Sequence, residues 1–138
     1  MSSKYTAKDT AATVLSTELN SLGDGSNKIT GAALSNDAAS TERDLFADFS
    51  LSLAAQASAR SAGATVGLYI LPEVDGVFAY GGDALNPSPN HYRGSFVFDA
   101  STSARVDILE GVRLPNSDYH VLLINETGQA FSASGNVL

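Results

Sequence analysis

The sequence predicts a mainly β domain, an antiparallel β-sandwich preceded by a helix and an extended arm, and three observations lead there. Apolar and polar residues alternate in several short runs between residue 45 and the C-terminus, the period of strands with one wet face. Turn formers separate these runs, and none is followed by a long helical pattern, which argues against a parallel α/β sheet. All six Phe, four of the five Tyr and every Pro fall in residues 43–138, so the core belongs to that part of the 138-residue chain. A chain of this length can bury a core without staples.

Two regions follow: residues 1–42, a helix and arm, and residues 43–138, the sandwich. In the first, Ala12, Leu15, Leu19 and Leu22 recur at intervals of three and four. That spacing predicts a helix from about residue 8 to 22 with one apolar stripe, ended by Gly23. So short a helix is marginal alone and is expected to lie against the domain or another chain. The following GDGSNKITGAALSNDAAS offers only Ile29 and Leu34 as anchors and is expected to run extended.

In the second region, Leu45, Ala47, Phe49, Leu51 and Leu53 share one face of a strand. TVGLYILP places Val66, Leu68 and Ile70 together and is expected to stop at Pro72. Asp75-Gly76 is a turn into a short strand from Val77 to Tyr80. RGSFVFDA aligns Phe96 with Phe98, Ala104–Glu110 aligns Val106 with Ile108, and DYHVLLIN aligns Tyr119, Val121 and Leu123. A last strand is expected around Phe131. The predicted core is Leu45, Phe49, Leu51, Val66, Leu68, Ile70, Phe96, Phe98, Val106, Ile108, Val121 and Leu123, in eight strands. Long connections at 54–64 and 81–92 suit crossings between sheets, which favours a jelly roll.

Composition removes several kinds of chemistry. The absence of cysteine excludes disulfides, thiolate metal sites and a cysteine nucleophile. Eight basic against fifteen acidic residues give a net charge of -7, a field that repels phosphate backbones and anionic membranes. No run is long and apolar enough to span a bilayer, and MSSKYTAKDT has no apolar signal core; the expectation is a soluble, unprocessed chain.

The titratable residues form no recognisable constellation. His91 lies in a loop, whereas His120 is expected on the less buried face of its strand, opposite another strand's carboxylate. Asp9, Glu18, Asp24, Asp37, Glu42, Asp44 and Asp48 crowd the first third, but Asp24-Gly25-Ser26-Asn27 departs from a calcium loop after its first positions. Glu73 and Glu110 would have to meet in space to act as a glycosidase pair. Asn125-Glu126-Thr127 fits the glycosylation pattern, and the glycines match no phosphate-binding motif. The reading is therefore no catalytic residue, no cofactor and no metal. Contact with a neighbouring subunit is assigned to Leu15, Leu19, Leu22, Ile29 and Leu34, and removal of residues 1–42 is expected to spare the sandwich.

The run LFADFSLSLAAQASARSAGATVGLYILPEVDG, with FAYGGD, RGSFVFDA, ARVDILEGVRLPNSDYHVLLIN and GQAFSAS, resembles the jelly-roll cement proteins that decorate the heads of tailed bacteriophages. The resemblance implies a non-enzymatic protein on the outer surface of the virion capsid, assembled in the host cytoplasm. It implies binding to the major capsid protein as a homodimer or homotrimer, with no direct contact to nucleic acid or membrane. Two other classes compete. One is a tail or fibre-attachment component; the other is a carbohydrate-binding module using Tyr80, Tyr92 and Tyr119, although tryptophan is absent.

Overall fold

The structure is a computed structural model and describes residues 11–36 and 44–138. Its strands are β1 (Asn27–Ile29), β2 (Phe46–Leu53), β3 (Ala64–Val74), β4 (Val77–Phe78), β5 (Tyr92–Phe98), β6 (Arg105–Arg113) and β7 (Tyr119–Glu126). All pairings are antiparallel. The larger sheet runs β1-β7-β3, with β5 on the far edge of β3 from Ala64 to Tyr69 and β4 on that edge at Glu73 and Val74. The smaller sheet is the ribbon β2–β6. Together they curl into a half-barrel in which β5 lies beside β6. No helix among the described residues is long and apolar enough to cross a membrane.

Alternation explains most of the interior. Phe49, Leu51, Leu53, Val66, Leu68, Ile70, Phe96, Phe98, Val121 and Leu123 are all buried in one core. Three expected core residues are not. Leu45 is 60% exposed, Val106 60% and Ile108 53%. Leu45 precedes β2, and the β6 residues face outward because that strand turns Leu109 and Asp107 inward instead. The reason lies at the seam between the sheets, where β5 has no ladder partner: Asp107 Oδ2 accepts the Val97 N–H at 2.7 Å. Glu110 and Gly111 together oppose the single residue Asp48, a bulge that returns the next apolar residue, Val112, to the core. Gly111 takes the left-handed conformation the bulge requires, φ 62°.

The strand carrying Pro72 runs on to Val74 rather than ending there. Pro72 lies beyond the reach of β5, and its carbonyl accepts from Ala79 on that edge, so its missing N–H interrupts no ladder. β7 is buried on both faces; loop residues Gly81 and Pro87 pack over Leu71 and Leu122. The expected eighth strand around Phe131 does not form. Phe131 is instead buried in the core, its N–H donating to Leu22 O at 3.0 Å.

The expected helix over residues 8–22 is not formed in its described part, residues 11–22, which holds only a 3-10 turn at Thr17–Leu19. The backbone N–H groups of Val14, Leu15 and Ser21 are taken by Leu138 O and Ser132 O, so the chain spends its donors on the C-terminal segment rather than on its own preceding turn. Leu15 and Leu19 are fully buried in the same core as Phe49 and Leu123. β1 is a strand of the main sheet. The described part of residues 1–42 is therefore one body with the sheets, and the division expected at residue 42 separates nothing within it. Residues 8–10 of the expected helix, 37–42 of the arm, the boundary itself, and Asp9, Asp37 and Glu42 lie outside the described residues.

Candidate functional site

The five residues assigned to subunit contact have other work. Leu15 and Leu19 are core; Leu22 and Leu34 are partly buried against it. Ile29 pairs with Leu122 in the main sheet and is half-buried. The apolar side chains the monomer leaves in water are elsewhere, and two groups stand out.

The first is the β3–β4 hairpin and the end of the barrel around it. Asp75 and Gly76 both have positive φ, 52° and 78°, the geometry of a tight primed turn. The turn carries Val74, 65% exposed, and Val77, 73% exposed, out beyond the barrel, with Phe78 and Tyr80 also exposed. Leu45 and Phe46 emerge at the same end. Asn36 ties the two together. Its Nδ2 donates to Asp44 O at 2.9 Å and Pro115 O at 2.7 Å, its Oδ1 accepts Asp44 N–H, and its own N–H reaches Asp118 Oδ1. Asp118 O in turn accepts Glu73 N–H at the foot of the hairpin.

Beneath the hairpin, His120 holds it down. Its ring lies 4.5 Å from the ring of Phe78. Nε2 is 3.0 Å from Glu73 Oε2, the cross-strand carboxylate expected for it, but the residue is buried rather than set on a wet face. Nδ1 sits 3.0 Å from Thr30 O and 3.2 Å from Thr30 Oγ1, so either tautomer finds a partner. Both nitrogens are engaged in holding β7, β3 and the segment after β1 together. The second group is Val97, Val106 and Ile108, on the outside of the β5–β6 seam.

The remaining sequence candidates are structural. His91 closes a 3-10 turn, Pro89–His91. Glu73 is engaged by His120, while Glu110 stands in the bulge of the other sheet. Asp24 Oδ1 caps Gly128 N–H at 2.8 Å. Asn27 turns inward, donating to Gly82 O, Leu85 O and Asn86 Oδ1. Asn125 is fully buried, its amide bound to Leu22 O and Gln129 O, which closes it to a glycosyltransferase. Tyr119 is buried as well, and burial, followed by the Asp44 charge, pushes its hydroxyl up; it cannot serve a sugar platform. No three His, Asp or Glu among the described residues are placed to hold a metal ion.

Sequence reasoning missed the apolar hairpin tip as a surface, because alternation alone made Val77 and Tyr80 an ordinary strand. The structure pairs only two residues of β4 with β3, which the alternation does not show. No protein-family model, no curated protein and no solved structure significantly matches the chain.

Proposed function

We propose that the chain is a non-enzymatic structural protein of a virion, which docks on the outside of an icosahedral capsid and holds neighbouring capsomers together. The observation that carries this reading is the apolar end of the barrel. Val74 and Val77 are fixed on a tight turn, anchored through Phe78 and His120, and left facing water. Fully burying such side chains contributes roughly 1.5–3 kcal/mol each before ordering costs. Ordered, contiguous apolar surface of this kind marks an interaction site, and a rigid hairpin loses little entropy on docking. The net charge of -7 favours a basic surface on the partner.

The finer fold, a jelly roll, is supported by strand order. The first, last, third and third-from-last strands share one sheet, and the second and second-last share the other, the wrapping produced by folding one long hairpin over itself. On the shell the protein acts as a homodimer or homotrimer bound to the major capsid protein.

The test is to add the purified chain to undecorated heads and, in parallel, to isolated tails. Saturable binding to heads at a fixed ratio to the shell protein, abolished by Val77→Asp with the fold intact by circular dichroism, supports the reading. Binding to tails alone would make it an attachment component, and retention of Val77→Asp on heads would remove the hairpin from the argument.

A further inference from the structure

The outer face of the main sheet carries, further along β3 from the hairpin, a group of exposed and half-buried side chains around one glycine. Gly67 stands in β3 with β5 on one side and β7 on the other. A strand glycine in such a place marks a close approach, and here the ring of Tyr69 lies across it: a Cβ at residue 67 would meet Tyr69 Cε2 at 3.2 Å. Glu126 reaches the same spot from β7, its Oε2 4.0 Å from that Cβ position. From β5 comes Tyr92, its ring 5.4 Å from that of Tyr69 and inclined at 62°. The Tyr92 hydroxyl is fixed by a 2.8 Å hydrogen bond with Ser95 Oγ.

The result is a short row across three strands: a carboxylate, a tyrosine ring, a second tyrosine ring. Glu126 is exposed and its carboxylate accepts from no donor among the described residues, whereas the carboxylates of Asp83, Asp99, Asp107 and Asp118 each have one. Burial, then the Glu126 charge, then Tyr92 push the Tyr69 hydroxyl up. Aromatic faces attract cations through their quadrupole, and a nearby unpaired carboxylate adds a charge-assisted hydrogen bond.

We propose that Tyr69, Tyr92 and Glu126, set over Gly67, form a binding site for an arginine side chain of a partner protein. A guanidinium fits both features, since it is planar enough to stack on a ring and can direct two N–H groups to one carboxylate. An ammonium meets only the charge. The site lies on the same outer face of the sheet as the His120–Phe78 contact but further along β3 and β7, and it does not depend on the capsid reading. Gly67 is the floor: a Cβ there would crowd the Tyr69 ring at 3.2 Å.

The full chain, labelled with ¹⁵N, is titrated with N-acetyl-arginine amide and followed by NMR. Shifts confined to Gly67, Tyr69, Tyr92, Glu126 and their neighbours are expected, weakening with added salt. Glu126→Gln, a surface change that leaves the fold intact, weakens binding about tenfold, one charged contact's worth. The neutral isostere N-acetyl-citrulline amide leaves the spectrum unchanged. Equal shifts with citrulline or with maltotriose, an undiminished response in Glu126→Gln, or no shift at tens of millimolar arginine amide would each overturn the proposal.

Discussion

Leu19→Ala separates two accounts of the N-terminal segment. Leu19 is 0% exposed and packs in the same core as Phe49, Leu51 and Leu123. The substitution removes three carbons, about 2.4 kcal/mol at roughly 0.8 kcal/mol per buried carbon, and the cavity term brings the cost to about 3 kcal/mol within the 2–5 range of such changes. For a domain stable by about 5–15 kcal/mol that is a large fraction. With a urea m-value of about 2 kcal/mol/M, the midpoint falls by about 1.5 M. The assay is urea unfolding followed by circular dichroism, with Ile108→Ala as the control. Ile108 is more than half exposed, and its truncation changes stability by less than about 0.5 kcal/mol. If Leu19→Ala costs under about 1 kcal/mol while Ile108→Ala costs more than 2, the segment is an arm, the faces of β6 are reversed, and the reasoning fails.

Asn36→Ala breaks the clasp at the hairpin end. Three side-chain hydrogen bonds of the buried Asn36 are lost, to the exposed Asp44 and the half-buried Pro115, so the unfolding free energy drops by about 1–2 kcal/mol; an unchanged melting temperature would show the clasp to be idle. Acid weakens the fold at a second point. Burial alone would raise the Asp83 carboxyl, but hydrogen bonds from Lys28 Nζ and Ile29 N–H and the Lys28 charge outweigh it and hold Asp83 below its ordinary value. The group stabilises the fold fully above about pH 4 and loses that contribution as pH falls through its lowered folded pKa. Asp83→Asn therefore flattens the fall of stability below about pH 4 and leaves its shape unchanged above about pH 5; an equally steep acid limb in the variant would exclude Asp83 as a contributor.

Strands with one wet face were legible because their periodicity and their burial coincide: Phe49 and Leu51, Val66 and Leu68, Phe96 and Phe98 all follow alternation. β6 was misread for a physical reason. Its more apolar alternate set, Val106 and Ile108, points to water because the seam needs the Asp107 carboxylate facing β5, a demand set by the preceding strand and invisible in the alternation of β6 alone. The three-and-four spacing of Leu15, Leu19 and Leu22 fits a helix, yet it also fits a turn flanked by extended chain, and the donors that decide between them are met by Leu138 and Ser132. His120 opposite a carboxylate could be foreseen from its strand position. The row Glu126, Tyr69 and Tyr92 could not, since it exists only after β7, β3 and β5 have been placed side by side.

The seam has a consequence for how the molecule can open. Between β5 and β6 side-chain carboxylates, Asp107 on Val97 N–H and Asp99 on Arg105, stand where a ladder of backbone bonds would otherwise run. The ribbon can thus part from the main sheet like a cover from a spine, with both ladders whole. What opposes this is core burial, the two-way Ser52–Val137 backbone bridge on the other edge of β2, and stitches at the two rims. At one rim Gln56 and Arg60 bind the turn at Ser101–Ser103; at the other Asn36 holds Asp44 to Pro115. Sub-global opening of this sort exposes core without full unfolding, and it assigns the loops a mechanical duty: they are the binding of the book, holding two pages that share one core.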